Sequence, residues 1–146
     1  MTHKGRQIIA VCLGGLFLLF DQIFKQLART SPHTTWYLIK PWLGWEYFAN
    51  SGVAFNIPIP NTIIIFITPL ILFFLLQWGI KKSATSPAII PALIGIGGGA
   101  ISNFIDRVLF GITIDYLRIF TAIINLGDIM VVVGVAILLR SYWKKT

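Results

Sequence analysis

The sequence has few charged residues for its length. Only 12% of its 146 residues are Asp, Glu, Lys or Arg, 56% are hydrophobic, and the mean hydropathy is +0.81. A water-soluble domain needs far more polar surface than this composition provides. The sequence therefore predicts an integral membrane protein, of a size for a single domain over residues 1–146.

Cysteine and several catalytic motifs are also missing. Cys12 is the only cysteine, which excludes an intramolecular disulfide and a cysteine metal cluster. There is no His-Glu-x-x-His, no Gly-x-Ser-x-Gly and no phosphate-binding glycine loop. The sequence therefore lacks the motifs that metallopeptidases and serine hydrolases need. The net charge of +7 comes from short basic clusters beside apolar runs, a pattern typical of contact with membrane lipid. Nucleic acid is not an expected partner.

Four apolar runs are long enough to cross a bilayer core of about 30 Å, which takes roughly 20 helical residues. They cover residues 7–28, 62–80, 87–105 and 120–139. The first run resembles a signal peptide, but no small-residue cleavage site follows it, so we interpret it as an uncleaved helix. The predicted fold is an all-α membrane fold with four transmembrane helices.

The distribution of charge predicts the orientation. With a cytoplasmic N-terminus, the inner side holds bases and no acid, namely Lys4, Arg6, Lys81, Lys82, Arg140, Lys144 and Lys145. The positive-inside rule then places both termini in the cytoplasm, and we expect a bacterial inner-membrane protein. All five carboxylates lie at or towards the outer face in this arrangement.

The segment 29–60 between the first two helices is rich in aromatic residues. Short β-prone stretches at 36–39, 45–49 and 53–55 are separated by Pro41, Gly44 and the turn Asn50-Ser51-Gly52. We predict a small β-rich extracytoplasmic platform here, lying in the headgroup layer. A second outer segment, 107–119, contains an extended-looking stretch at 112–116.

Asp128 lies inside the fourth apolar run. A helix that starts near residue 120 would place it roughly 12 Å below the outer boundary, at about 1.5 Å per residue. An aspartate near the centre of a span costs about 2.5–3.5 kcal/mol, and such acids are more often functional than merely paired with another helix. Asn125 lies three residues earlier on the same face, where its amide would either bind substrate or steady the acid.

Asp115 lies in the second outer segment, before Asp128 in the chain. If the chain leaves the membrane only briefly and then re-enters it, the two carboxylates would come together. The spacing in the sequence does not by itself establish this contact. Paired carboxylates suit peptide hydrolysis, because an ionised one takes a proton from water while a protonated one polarises the carbonyl. Two acids forced together share one proton.

Asn103, Asp106 and Arg107 follow a run of small residues at 95–100, which allows close approach of another helix. Their spacing of i, i+3 and i+4 places them on one face at the outer end of the third helix. Arg107 would bind a substrate carbonyl, neutralise a catalytic acid or form a structural salt bridge.

Asp21 and Lys25 are spaced i to i+4 with the acid first, the better order for a helical ion pair, which favours a structural role. His3 and His33 fall on opposite sides of the membrane in the predicted topology, so we do not expect them to share a metal.

Taken together, these residues resemble the bacterial lipoprotein signal peptidases, the type II signal peptidases. The third of five matching blocks is the most specific. In order, the blocks are Asp21-Gln22-x-x-Lys25, Asn50-x-Gly52-x-Ala54-Phe55, Gly98-Gly99-Ala100-x-x-Asn103-x-x-Asp106-Arg107, Asp115-Tyr116 and Asn125-Leu126-Gly127-Asp128.

The resemblance implies an aspartyl endopeptidase with Asp115 and Asp128 as its catalytic acids and no metal or other cofactor. The implied substrate is a diacylglyceryl-modified prolipoprotein, cut just before its lipidated cysteine. The implied substrate-binding residues are Asn50, Asn103, Arg107 and Asn125. The residues expected to be structural are Asp21, Lys25, Gly52, Gly99 and Asp106. The sequence does not give the oligomeric state, and a monomer is our expectation.

The sequence departs from the family pattern at a few positions. Gly127 and Ile124 stand where alanine and phenylalanine are usual, Asn56 follows Phe55 in place of a small residue, and the run 117–124 is shorter than expected. None of these departures removes a catalytic acid. The short run affects which residues the enzyme would prefer around the lipidated cysteine, the motif called the lipobox.

Two other functions are compatible with four apolar helices. A small proton-coupled transporter depends on an acid inside its first helix, whereas Asp21 is near the outer end of that helix and Glu46 lies in the outer segment. A catalytically inactive scaffold would share the helix packing, but would not need to retain two acids together with Asn103, Asn125 and Arg107.

Overall fold

The computed structural model describes residues 3–52, 57–82, 86 and 88–143. In chain order, this part of the chain has one β-hairpin between its first two helices and a second β-hairpin between its last two helices. The helices are α1 (His3–Thr30), α2 (Asn61–Lys82), α3 (Ile89–Phe110) and α4 (Leu126–Trp143). The strands are β1 (Trp36–Ile39), β2 (Leu43–Asn50), β3 (Thr113–Ile119) and β4 (Ala122–Ile124).

Three helices in the described part of the chain are long and apolar enough to cross a membrane. They are the segments Gln7–Thr30, Asn61–Lys82 and Ile89–Phe110, which agree with the first three predicted runs. Large apolar side chains on them, such as Phe66 and Phe74 of α2, are exposed. A helix that is apolar on its outward surface is suited to lipid contact.

Helices α3 and α4 pack closely through glycines. A Cβ at Gly95 would lie 3.2 Å from the carbonyl oxygen of Met130, and a Cβ at Gly99 would overlap that of Gly127. The small-residue run at 95–100 predicted such an approach, and the structure confirms it. Gly99 therefore fixes the distance between the two helices at the level of the polar residues described below.

The segment between α1 and α2 and the segment between α3 and α4 contribute to one antiparallel sheet with the strand order β1-β2-β3-β4. The predicted platform included only the segment between the first two helices, but β3 and β4 supply half of the sheet. The predicted strand at 36–39 is confirmed. Gly44 lies within β2, not at a break, because it pairs with Tyr37 of β1 and Arg118 of β3. The predicted strand at 53–55 falls outside the described residues.

The start of α4 differs from the prediction. The helix begins at Leu126, not near residue 120, because 122–124 pair with β3 as strand β4. Asp128 therefore lies in the first turn of α4. The predicted depth of roughly 12 Å inside a helix is wrong for that reason, since about two residues of helix precede Asp128.

An aromatic cluster attaches the sheet to the C-terminal part of α1. The Tyr116 ring lies 5.0 Å from that of Trp45 and 5.7 Å from that of Phe24, and Ala28 and Ile114 are buried beside them. Because side chains alternate along a strand, this packing turns the intervening residue of β3 to the opposite face. That residue is Asp115.

Candidate active site

Asn125 contacts both acids that the sequence singled out. Its Nδ2 donates to Asp115 Oδ1 at 2.5 Å, and its Oδ1 accepts from the backbone N of Asp128 at 2.9 Å. In return, Asp128 Oδ2 accepts from the backbone N of Asn125 at 3.3 Å. Asn125 is thus the N-cap of α4 in a reciprocal capping arrangement. This one buried residue positions both carboxyl groups, that of Asp115 through its side chain and that of Asp128 through its backbone N.

Asp115 is almost fully buried, with 1% of its surface exposed. Its second oxygen, Oδ2, accepts from Asn50 Nδ2 at 2.9 Å, and Asn50 Oδ1 accepts from the backbone N of Gly52 at 3.0 Å. Burial, and then the nearby charge of Asp128, raise the pKa of Asp115 to about 7, against the opposing effect of the bonds from Asn50 and Asn125. Asp115 is therefore suited to hold a proton near neutral pH.

Asn103 provides the other contact of Asp128. Asn103 Nδ2 donates to Asp128 Oδ1 at 2.8 Å, and Asn103 Oδ1 accepts from Lys25 Nζ at 2.8 Å. Asp128 thus receives hydrogen bonds on both oxygens, at the N-terminus of a helix. The positive end of the helix dipole and these donors stabilise negative charge on its carboxylate.

Lys25 is buried at the centre of a polar cluster behind the two acids. Its Nζ lies 2.9 Å from Asp21 Oδ2 and 2.9 Å from Asp106 Oδ2, and it also donates to Ser102 Oγ at 3.2 Å. The predicted pair of Asp21 and Lys25 is present. Sequence spacing did not indicate the contact with Asp106, nor the participation of Ser102, because their positions relative to Lys25 depend on the packing of α1 against α3.

Asp21 and Asp106, the two acids that pair with Lys25, hold the elements of the candidate site together. Asp21 Oδ1 accepts from the hydroxyl of Tyr116 at 2.8 Å and from the backbone N of Leu126 at 2.9 Å. Asp106 Oδ2 accepts from the backbone N of Ile114 at 3.1 Å. Burial and the Asp21 carboxylate raise the pKa of Tyr116, so its hydroxyl remains a donor. These bonds attach β3 and the start of α4 to α1 and α3.

Arg107 lies beside Asp115 and Asp128, the pair of acids that we call the dyad. Its guanidinium donates to the carbonyl oxygen of Gly52 and, at 3.3 Å, to Asn61 Oδ1. Asn61 Nδ2 donates back to the Arg107 carbonyl at 3.1 Å. Within the described residues Arg107 forms no ion pair, so the salt-bridge alternative has no support there. Asn61 is the first residue of α2. Its position before an apolar run predicts the start of a helix, but it does not predict the contact with Arg107.

The arrangement brings together Asp115, Asp128, Asn50, Asn103 and Asn125, and it links Arg107 to them through Gly52 and Asn50. Two carboxyl groups bonded to one residue, one of them with a pKa near neutrality, can supply an acid and a base to the same reaction. Among the described residues, no group of three or more His, Cys, Asp or Glu side chains is placed to hold a metal ion.

Residues 13–144 match the protein-family model described as signal peptidase (SPase) II. Similar sequences include the lipoprotein signal peptidase of Halothermothrix orenii, 33% identical over 135 residues, which are 89% of this chain and 92% of that protein. The lipoprotein signal peptidase of Streptococcus thermophilus is 36% identical over 104 residues, covering 68% of this chain and 67% of the relative.

Two solved structures have the same fold. Both are described as bacterial membrane enzymes determined by the in meso method. The one at 2.3 Å resolution has a TM-score of 0.85 and 26% identity, covering 96% of this chain and 88% of its own. The one at 1.9 Å has a TM-score of 0.81 and 27% identity, covering 97% and 95%.

Proposed function

The chain belongs to the signal peptidase II family, the lipoprotein signal peptidases, and we propose that it cleaves as an aspartyl endopeptidase with Asp115 and Asp128 as its catalytic acids. The observation that carries this assignment is that Asn125 bonds both acids: its side chain donates to the Asp115 carboxyl, and its backbone N donates to the Asp128 carboxyl. A purely structural acid would not need a partner acid held by the same residue.

The reaction follows from the different surroundings of the two acids. Asp128 takes a proton from the attacking water, whose oxygen forms a bond to the carbonyl carbon of the scissile peptide. Asp115, protonated because its pKa is about 7, donates its proton to the carbonyl oxygen. When the tetrahedral intermediate collapses, the C–N bond breaks, Asp128 passes its proton to the leaving amine and Asp115 recovers a proton from the hydroxyl. Both acids return to their starting states.

The amides around the dyad position the substrate by positioning the acids. Asn50, Asn103 and Asn125 each donate to a catalytic carboxyl, which supports a role in orienting the dyad towards the scissile bond. Arg107 holds the carbonyl of Gly52, the residue whose backbone N also bonds to Asn50. Its proposed role in substrate binding is to fix this turn at the edge of the site.

The substrate we propose is a prolipoprotein that carries diacylglycerol on its cysteine, cut just before that residue. The site lies where a sheet meets the ends of apolar helices, so a scissile bond presented by a membrane-anchored peptide can reach the acids. Anchoring by acyl chains lowers the entropic cost of bringing the bond to the dyad.

We also propose that α4 is a fourth transmembrane helix and that both termini face the cytoplasm of a bacterial inner membrane. All residues between Asp128 and Arg140 are uncharged, as expected for a helix that crosses a membrane. The excess of bases at the opposite end of the helices from the dyad supports an active site at the outer face. The chain would act as one peptidase domain and as a monomer.

The deciding experiment incubates the purified protein in lipid with a diacylated prolipoprotein and with the same precursor lacking the lipid. We expect cleavage of the diacylated form, with a product mass that places the cut before the lipidated cysteine, and far slower cleavage of the unlipidated form. Equal rates on both forms would make the protein a general membrane peptidase. No product from either form would favour an inactive scaffold.

The transporter alternative gains no support from the structure. Asp21, the acid of α1, is fully buried, and its carboxylate is occupied by Lys25, Tyr116 and the backbone N of Leu126. A carboxylate that binds and releases a transported proton would need access to one side of the membrane.

A further inference from the structure

An apolar groove runs along the helices where α1 and α4 flank α3. Its volume is about 370 Å³. It is lined by Ile94 and Gly95 of α3, by Leu13 of α1 and by Val133 of α4. Leu13 and Val133 are each about half exposed, so the groove is open from the side, where a membrane would bring lipid chains against it. We call this feature the α1–α4 groove.

Glycines explain why α1 and α4 leave this space between them. A Cβ at Gly14 would overlap the side chain of Ile94, and a Cβ at Gly134 would lie 2.6 Å from the carbonyl oxygen of Ala92. Each of the two helices therefore packs closely against α3 through a glycine of its own. Because a glycine has no side chain to fill the gap between α1 and α4, the apolar surface there remains open to a ligand.

The groove has the dimensions of a lipid chain rather than those of a helix. On α4 it extends from Leu126 to Ile137, a distance of about 16 Å at 1.5 Å per residue. One leaflet is half of a hydrocarbon core of about 30 Å, so an acyl chain crosses about 15 Å. A helix segment of the same length and about 10 Å in diameter has a volume of roughly 1,250 Å³, far more than the groove provides.

The end of the groove that is remote from the dyad is basic. Arg140 follows Ile137 by three residues on α4, and Arg6 precedes Ala10 by four residues on α1, so both helices have an arginine position within about one turn of this end. Arg140 is exposed, and within the described residues it forms no ion pair. Asp128, the acid of α4, is about 18 Å away along the helix. This end of the groove therefore favours an anion.

Two hydroxyl groups lie at the same end. Ser141 follows Ile137 by one helical turn, and its Oγ lies 2.8 Å from that of Ser86, which precedes α3. One hydroxyl of this pair donates to the other, and the one that accepts keeps its own proton for a further acceptor. A phosphate group has acceptor oxygens, so it can receive this proton together with the guanidinium donors of Arg140.

We propose that the α1–α4 groove binds an acyl chain of an anionic phospholipid, and that the phosphate of this lipid lies against Arg140 and Ser141. Basic sites between transmembrane helices on the cytoplasmic side are typical of contacts with anionic headgroups. In the proposed topology the lipid belongs to the cytoplasmic leaflet. The diacylglyceryl group of the proposed substrate carries no phosphate and would approach the dyad, at the other end of the groove, so it is not the occupant. The inference rests on α4 as a transmembrane helix and not on the cleavage reaction.

Lipid binding can be measured by native mass spectrometry of the purified protein in detergent. The probes are dioleoylphosphatidylglycerol and dioleoylphosphatidylcholine, which have the same chains and differ in net charge. We expect one phosphatidylglycerol to bind per chain at concentrations where phosphatidylcholine does not bind. Equal binding of the two lipids would overturn the proposal, because the basic end would then have no part in recognition.

Val133→Trp fills the groove, and Val132→Trp is its matched control. Both valines are on α4 and at least half exposed, but only Val133 lines the groove. We expect Val133→Trp to weaken the binding of phosphatidylglycerol about tenfold, which corresponds to the loss of about two buried methylene groups. Val132→Trp should bind as the unsubstituted protein does. Equal effects of the two substitutions, or no effect of Val133→Trp, would place the lipid elsewhere.

Arg140→Gln and Lys81→Gln each remove one positive charge. Lys81 is exposed in the last turn of α2, a helix that does not line the groove. One basic residue near a membrane surface contributes about fivefold to the binding of anionic lipid, so Arg140→Gln should weaken the binding of phosphatidylglycerol by that factor. Lys81→Gln should have little effect. Equal losses would mean that only the overall charge is recognised, which would overturn the site.

A photoactivatable lipid locates the chain in the unsubstituted protein, so this measurement does not depend on the folding of a variant. One phosphatidylglycerol with a diazirine in its acyl chain is supplied per protein in detergent, and the cross-linked residues are identified by mass spectrometry. We expect adducts at Leu13 and Val133 and few at Phe66 and Phe74, which are exposed on α2. Adducts spread equally over α2 and α4 would overturn the proposal. A dimer that is lost in Val133→Trp would show instead that the groove joins two copies of the chain.

Discussion

Lys25 and Asp128 are joined through a single amide, that of Asn103. Lys25 Nζ donates to Asn103 Oδ1 at 2.8 Å, and Asn103 Nδ2 donates to Asp128 Oδ1 at 2.8 Å. A lysine ammonium group has donors only, so it fixes which end of the amide faces it. The NH₂ group must then face Asp128. A residue that the sequence marked as structural therefore also determines which group the Asp128 carboxylate meets.

Replacing Lys25 with methionine should destabilise the protein strongly. The change keeps most of the side-chain volume but leaves Asp21 and Asp106 buried without their cation, and breaking a buried pair in this way costs about 3–5 kcal/mol. Thermal unfolding in detergent should show a large fall in midpoint. Lys40→Met, at an exposed position, is the matched control and should be close to unchanged. A midpoint for Lys25→Met equal to that of the control would contradict the role of the cluster.

Asp115→Asn and Asp128→Asn should each abolish cleavage of the diacylated substrate while leaving the protein folded. The amide preserves shape but can neither take a proton from water nor serve as the shared acid. Product mass spectrometry measures the activity, and gel filtration in detergent checks folding. Asp21→Asn, by contrast, should lower the yield of folded protein, because this carboxylate attaches Tyr116 and Leu126 to α1. Cleavage at the unsubstituted rate by either dyad variant would remove that residue from the mechanism.

Cleavage should fall as the pH rises through about 7. Burial raises the pKa of Asp115 to about 7 from 3.8, so the protonated acid required for catalysis is present below pH 7 and lost above it. The raised pKa also affects stability: the folded state binds the proton more tightly, so the contribution of Asp115 to stability decreases between about pH 4 and pH 7 and is constant above. On the acid side, protonation of the base lowers the rate, which gives a bell-shaped profile. A rate that stays level from pH 6 to pH 9 would exclude Asp115 as an essential acid.

Asn50→Ala should move the alkaline limb of this profile to higher pH. The hydrogen bond from Asn50 lowers the pKa of Asp115, so its removal leaves burial and Asp128 less opposed. Profiles of the two proteins measured in one detergent provide the comparison. A limb displaced to lower pH would show that Asn50 does not stabilise the charged form of Asp115.

Asn125 can be divided into its two functions by a pair of substitutions. Asn125→Ala removes the cap of α4 and should cost about 0.5–2 kcal/mol of stability together with the activity. Asn125→Ser retains a cap for the backbone N of Asp128, but its short side chain cannot replace the bond to Asp115. We expect serine to restore most of the thermal stability and little of the cleavage rate. Full recovery of both by serine would show that the contact with Asp115 is dispensable.

Thr113→Val should stabilise the protein. Thr113 is buried, and in the described part of the chain its Oγ1 has no hydrogen-bond partner. An unsatisfied buried hydroxyl costs about 1–3 kcal/mol, and valine has nearly the same shape. Thr30→Val is the control, because the hydroxyl of Thr30 donates to the Gln26 carbonyl at 2.9 Å on the exposed side of α1. A lower unfolding midpoint for Thr113→Val than for the unsubstituted protein would indicate that the hydroxyl has a partner in solution.

The first three helices and the first hairpin were predictable from the sequence because their signals are local. Apolar runs of sufficient length mark helices, and β-branched and aromatic residues between turn signals mark strands. The boundary between β4 and α4 was not found by hydropathy, because the apolar character is continuous across it. A local signal was nevertheless present: Asn125 and Asp128 are three residues apart, the spacing of a capping box, and this pattern places a helix start at Leu126.

The contacts of the polar cluster could be predicted only in part. The pair of Asp21 and Lys25 follows from helical spacing, and the shared face of Asn103 and Asp106 does as well. Which residue of α1 meets which residue of α3 depends on the close packing of helices through their small side chains. The second ion pair of Lys25, with Asp106, therefore required the structure.

The position of Lys25 between two acids has a consequence for the order in which the chain assembles in a membrane. Its pair with Asp21 lies within α1, so that helix can enter the bilayer with one cation and one anion already matched. Asp106 on α3 has no such partner on its own helix and is neutralised only when α3 meets α1. An ionised aspartate in an isolated span is unfavourable, so α3 gains most from insertion beside an α1 that is already in place. During translation, α1 emerges from the ribosome before α3.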